Sequence, residues 1–170
     1  MKVLVTLTAS ELREAAHGGI ERNIDAMKRG RKSYQSDRPD HEQNWWQSHI
    51  IGAIGEFAVA KALDLPWNPT VGQIDQRDVG EFEVRTSELP KPVLRFRAHN
   101  DPTAHYILAG LRNNKVLLHG WLPGYAVRDL GFMEYDNCWV AQPDTLYSMA
   151  DLNAEIAWSD TVVCYSPMSS

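Results

Sequence analysis

Hydrophobic positions recur along this chain with two different periods. Over residues 9–27, Leu12, Ala15, Ala16, Ile20, Ile24 and Met27 return every three or four positions, the period of a helix with one buried face. Thr8-x-x-Glu11 ahead of that run has the form of a capping box, so the pattern predicts a helix from about Ala9 to Met27, weakened by the pair Gly18-Gly19. It reads as a packing helix without chemistry. A second run starts at about Glu42 and includes Trp45, Trp46, His49, Ile50, Ala53, Ile54, Phe57, Ala58, Ala60, Ala62 and Leu63. It is apolar around nearly its whole circumference, which predicts a central helix ended by Leu65-Pro66.

The period then shortens to two. Segments 71–78, 82–87, 93–98, 105–111 and 116–121 read as strands separated by Gly, Pro and Asn turns, and residues 2–7 as a short strand before the first helix. A short helix over 125–130, an edge strand over 139–141 and helical turns from Asp144 complete the reading. Residues 30–40, rich in charge, Ser and Pro, have no period and predict a mobile loop, a candidate substrate arm. The expected fold is α/β (α+β), a central mixed or antiparallel sheet flanked by helices. It forms one domain over 1–170: helical segment 8–28, mobile loop 30–40, helix-plus-sheet core 42–122 and C-terminal extension 123–170.

Charge narrows the function. The formal net charge of −5 argues against a basic nucleic-acid coat, yet the cations are clustered. Lys28, Arg29, Arg31, Lys32 and Arg38 crowd one segment, and Arg85, Arg95 and Arg97 another. Either group is a local positive track or a solvated face. Cys138 and Cys164 lack metal-type spacing and read as two reduced thiols. No secretory leader or membrane-length run is present, so a cytoplasmic protein without a membrane partner is expected.

The candidate chemistry lies between Ile50 and Ser87. Glu56 is the one ionisable group in the middle of the apolar run, so a cation, a metal or hydrogen-bond donors should stand beside it, a structural salt bridge being the plain alternative. Beyond the helix comes Asp78-Val79-Gly80-Glu81-Phe82-Glu83-Val84-Arg85. Alternation along a strand sends Glu83 and Arg85 to one side and Phe82, Val84 and Thr86 to the other. The Gly80 turn lets Asp78 fold back toward Glu83. Two carboxylates with a backbone carbonyl such as that of Val84 suit Mg²⁺ or Mn²⁺, and Asp75 is close enough in sequence to replace Asp78.

A helix of the form Gly-Glu-x-x-Val-Ala-x-x-Leu followed by Asp-Val-Gly-x-x-Glu-Val-Arg-Thr resembles the PD-(D/E)XK nuclease superfamily, and in particular small nuclease-like proteins of bacteriophages. The resemblance spans about residues 50–121. It implies a restriction-endonuclease-like core and Mg²⁺- or Mn²⁺-dependent hydrolysis of DNA, with RNA as an alternative substrate; a homo-oligomer is compatible with it. Glu56, Asp78 and Glu83 fall on the acidic positions and Arg85 on the position of the motif Lys. The implied roles are Asp78, Glu83 and the Val84 carbonyl as metal ligands, Glu56 as a water-orienting or outer group, and Arg85 as electrostatic stabiliser, all four side chains converging in one cleft. Arg keeps its charge and cannot act as the base, which makes a nuclease fold retained only for binding the alternative. Pro92 and Pro102 argue against the crossover helix usual after Glu-x-Lys, so an abridged variant is expected.

Arg95, Arg97 and His99 alternate along one strand and are candidate phosphate contacts, a solvated face being the alternative. Trp45, Trp46 and Trp67 are candidate base-stacking groups but read more simply as core, and His105 and His119 as sheet histidines.

Overall fold

The computed structural model describes residues 1–30, 45–69, 76–127, 129, 132–133 and 138–152. Most of the expected mobile loop, residues 71–75 of the expected strand including Asp75, the cations Arg31, Lys32 and Arg38, and Cys164 lie outside the described residues. The elements are β1 (Val3–Thr6), α1 (Ala9–Lys28), α2 (Trp45–Leu63), β2 (Phe82–Ser87), β3 (Leu94–Phe96), β4 (His105–Arg112), β5 (Lys115–Pro123), α3 (Gly124–Val127), β6 (Phe132–Met133) and β7 (Cys138–Ala141).

The capping box forms: Thr8 Oγ1 accepts the Glu11 amide at 3.2 Å, and the Thr8 amide donates to Glu11 Oε2 at 2.7 Å. Lys61 reaches Glu11 at 2.8 Å, and that bond, first among several, holds the Glu11 carboxyl down at about 2. At its other end α2 stops one step before Leu65-Pro66. Asp64 adopts φ 54°, and the Leu65 amide donates back to the Ala60 carbonyl at 2.9 Å, closing the helix with a left-handed cap.

The four main strands form a mixed sheet in the order β1-β5-β4-β2, in which β2 runs parallel to β4 and the other pairs are antiparallel. Helices cover one face. Ile54, Ala58 and Val59 of α2 pack with Phe82, Val84, Ile107, Ala109, Val116 and Leu118. On the opposite face Tyr106, Leu108 and Leu122 pack against Leu94, Phe96 and Ala141 of a small antiparallel sheet, order β3-β7-β6. The segment around Trp139, expected as an edge strand, is therefore the middle one of that small sheet, because both its edges are paired. The crossover from β2 to its parallel neighbour β4 passes through β3 and contains no helix, in keeping with its prolines.

The Gly18-Gly19 pair that weakens the helical pattern, and one glycine of α2, are contact points. A Cβ on Gly19 would lie 2.6 Å from the Ile50 Cα and 2.7 Å from the His49 carbonyl oxygen, so α1 and α2 cross there backbone to backbone. A Cβ on Gly55 would overlap the Thr86 side chain, whereas one on Gly52 would meet only the Glu56 Oε1 at 3.9 Å. Gly55, not Gly52, seats α2 on β2.

Candidate active site at the open edge of β2

Among the described residues β2 has a strand partner on one side only, and the candidate residues gather around its other edge. Residues 76–78 are not strand: a single rung pairs Val79 with Phe82 across the Gly80 turn, where φ is 54°. That tightness turns Asp78 back along the edge. Its Oδ2 accepts the Val84 amide at 2.8 Å, satisfying a backbone donor that no strand among the described residues reaches.

Glu83 and Arg85 project from the face that carries Tyr106, as alternation requires. The guanidinium of Arg85 lies 5.2 Å from the Tyr106 ring centroid, a cation–π contact. Its Nη1 stands 3.3 Å from Glu83 Oε2, 3.4 Å from the Val84 carbonyl oxygen and 3.9 Å from Asp78 Oδ2. The three oxygens expected to hold a metal thus converge on one position, and a positively charged nitrogen stands there.

Glu56 is 4 % exposed and comes from the other face, since α2 packs over Phe82 and Val84. The expectation of a single cleft is corrected accordingly: Glu56 does not share the face of Glu83, and the two sides meet around the strand edge through Asp78. The charge of Glu56 reaches Asp78, and that of Asp78 reaches Glu83. Both oxygens of Glu56 accept from Arg22 of α1, Nη1 at 2.6 Å and Nη2 closer still. This is the structural salt bridge weighed from sequence.

Burial pushes the Asp78 carboxyl up to about 6; Glu56 adds to the push, while the Val84 amide, Arg85 and Arg22 oppose it. Burial and then the charge of Asp78 also raise Glu83, against Arg85 and Arg77. Burial is the first cause in both, so each carboxyl holds its proton to higher pH than in water.

Arg77 and Arg22 escaped the sequence reading. Arg77 bridges Glu83 Oε1 at 3.5 Å and Asp101 Oδ2 at 2.6 Å, so cations bracket Glu83 on both oxygens. Nothing local marks Arg77. Arg22 had a signal: with Ala15, Gly18, Gly19 and Ala26 it lies on the one buried stripe of α1, an unusual place for a guanidinium.

Three adjoining hollows run along this edge. Asp78, Arg77 and His105 line one of about 640 Å³; Glu83, Arg77, His99 and Tyr106 line one of about 370 Å³; Arg85, Arg95, Arg97 and His99 line a third of about 470 Å³. The two cations expected to bind substrate therefore share a cavity with Arg85. Trp67 packs against Phe57 with ring centroids 5.1 Å apart and belongs to the core, while Trp46 is exposed. His105 stacks against Phe82 and Trp121, and His119 Nδ1 is buried without a partner among the described residues.

Comparison with protein-family models, curated proteins and solved structures finds no match to this chain. Among the described residues no three His, Cys, Asp or Glu side chains group as a metal centre, and no helix is long and apolar enough to cross a membrane.

Proposed function

We propose that this chain is a Mg²⁺- or Mn²⁺-dependent nuclease with a restriction-endonuclease-like core, related to the PD-(D/E)XK superfamily and hydrolysing phosphodiester bonds in DNA. The observation that carries the reading is the convergence of Asp78 Oδ2, Glu83 Oε2 and the Val84 carbonyl on the position of Arg85 Nη1. Hard oxygens of this kind fit a small divalent cation, with water completing its shell. Bound there, the ion supplies Lewis acidity toward the phosphate and a more acidic water.

The chain's own residues do the rest. Asp78 and Glu83 hold the ion, and the Val84 amide fixes the orientation of Asp78. Arg85 lines the basic cavity as well as touching the carboxylates, so it can face a phosphate there and stabilise charge developing on it. Arg95 and Arg97 bind flanking phosphates. Glu56, held by Arg22, acts on the site through its charge on Asp78.

One observation favours a second reading. A guanidinium already stands among the three oxygens, and a nuclease fold retained for binding would use Arg85 in that way. Plasmid nicking with Mn²⁺ separates the two. Cleavage by the wild type that Glu83→Gln abolishes, and that Arg85→Ala slows by about 10² or more, supports the enzyme. A wild type that is inert beside an active Arg85→Lys variant supports the binding protein. If all four proteins are inert on both DNA and RNA, the nuclease reading is wrong.

A further inference from the structure

The cavity of about 470 Å³ between β2 and β3 combines two chemistries. Arg85, Arg95 and Arg97 supply positive charge to its lining, and Leu89 and Val93 supply apolar surface. The alternation of β3 explains part of this: Leu94 and Phe96 are fully buried, so Arg95 between them is turned outward, and Arg97, just past the strand, lines the same cavity. Leu89 stands at the rim, 59 % exposed, where a solvated turn would ordinarily carry a polar residue.

The volume falls in the range of about 300–1,000 Å³ typical of small-molecule sites. A duplex displays its phosphates on a convex cylinder, and proteins read it with elements that project into its grooves. Here the guanidinium groups line a concavity. We propose that this cavity binds one unpaired nucleotide of a nucleic-acid strand, its phosphate toward Arg85, Arg95 and Arg97 and its sugar and base against Leu89 and Val93. The preferred polymer is then single-stranded or frayed, not a continuous duplex.

This rests on the nuclease reading only for the choice of a nucleic acid as ligand, and binding is measured without hydrolysis. The probe is a fluorescein-labelled oligothymidylate of about ten nucleotides, followed by anisotropy in EDTA, with the matching blunt duplex as the alternative ligand and deoxyadenosine monophosphate and inorganic phosphate as competitors. The single strand should bind at least about tenfold more tightly than the duplex, and the monophosphate should compete better than phosphate alone. Arg95→Gln/Arg97→Gln should weaken binding about tenfold or more and reduce the salt slope by up to about 0.7, the value for one phosphate contact in a single strand. Thermal unfolding of the double variant establishes that it is folded, and Leu89→Glu, at an exposed position, should reproduce the loss. Duplex preference, or unchanged binding in both variants, overturns the proposal. Binding without metal-dependent cleavage retains it and removes the nuclease reading; cleavage with unchanged binding in both variants does the reverse.

Discussion

Arg22 and Glu56 meet fork to fork across the crossing of α1 and α2, with side chains only 12 % and 5 % exposed. Breaking such a pair from one side leaves an uncompensated charge in the core, at a cost of about 3–5 kcal/mol. Arg22→Met should destabilise the protein by that amount in urea denaturation. Arg22→Met/Glu56→Leu, which removes both charges, should recover to within about 1 kcal/mol of wild type, whereas a double variant as unstable as the single one would deny the pairing.

Asp78 gives the metal-free protein a pH dependence of definite sign. Its carboxyl is raised from 3.8 to about 6 by folding, so the folded chain retains a proton that the unfolded chain has released. The associated stability is fully present below about 3.8 and is lost as pH rises through 6, a swing on the order of 3 kcal/mol. Asp78→Asn keeps an acceptor for the Val84 amide but does not titrate. Stability plotted from pH 4 to pH 7 should therefore fall more steeply for wild type than for Asp78→Asn; parallel curves would refute the assignment.

The same carboxyl must ionise to hold a divalent cation, so metal affinity should rise with pH. Titration calorimetry with Mn²⁺ is expected to give roughly tenfold weaker binding at pH 5 than well above pH 6, in proportion to the ionised fraction of Asp78. Mn²⁺ should raise the melting temperature of wild type but not of Asp78→Asn or Glu83→Gln. Equal affinity in wild type and Glu83→Gln would count against the site.

Gly19 tests the helix crossing. In an exposed helix Gly→Ala is favourable by about 1 kcal/mol, but here the new Cβ would stand 2.6 Å from the Ile50 Cα, a backbone atom that cannot swing aside. Overpacking of about 1–3 kcal/mol should prevail, so Gly19→Ala is expected to lower the melting temperature. A stabilised variant would mean that α1 and α2 cross elsewhere.

Much of the scaffold was legible because local chemistry decides it. Thr8 and Glu11 announce the start of α1, the apolar circumference announces α2, and the Asn113 turn, with φ 55°, joins β4 to β5 between two alternating runs. Alternation also placed Glu83 and Arg85 on one side of β2. What stayed hidden depends on which face of the sheet each layer covers. Glu56 and Glu83 look equivalent in a linear motif, but α2 covers one face and Tyr106 lies on the other, so Glu56 found its cation in Arg22. The hydrogen bond from Val84 to Asp78 was equally illegible, because it arises from a turn too tight to extend into a strand.

The Val84 amide donates to a carboxylate where a neighbouring strand would ordinarily lie. Its solvent exchange is therefore governed by the ionisation and orientation of one side chain, while Ile107 and Leu118 beneath it are sealed in the helix-covered core. A deuterium label at this single amide becomes a clock for the site: it can run fast or slow with cation or pH while the rest of the sheet keeps constant time.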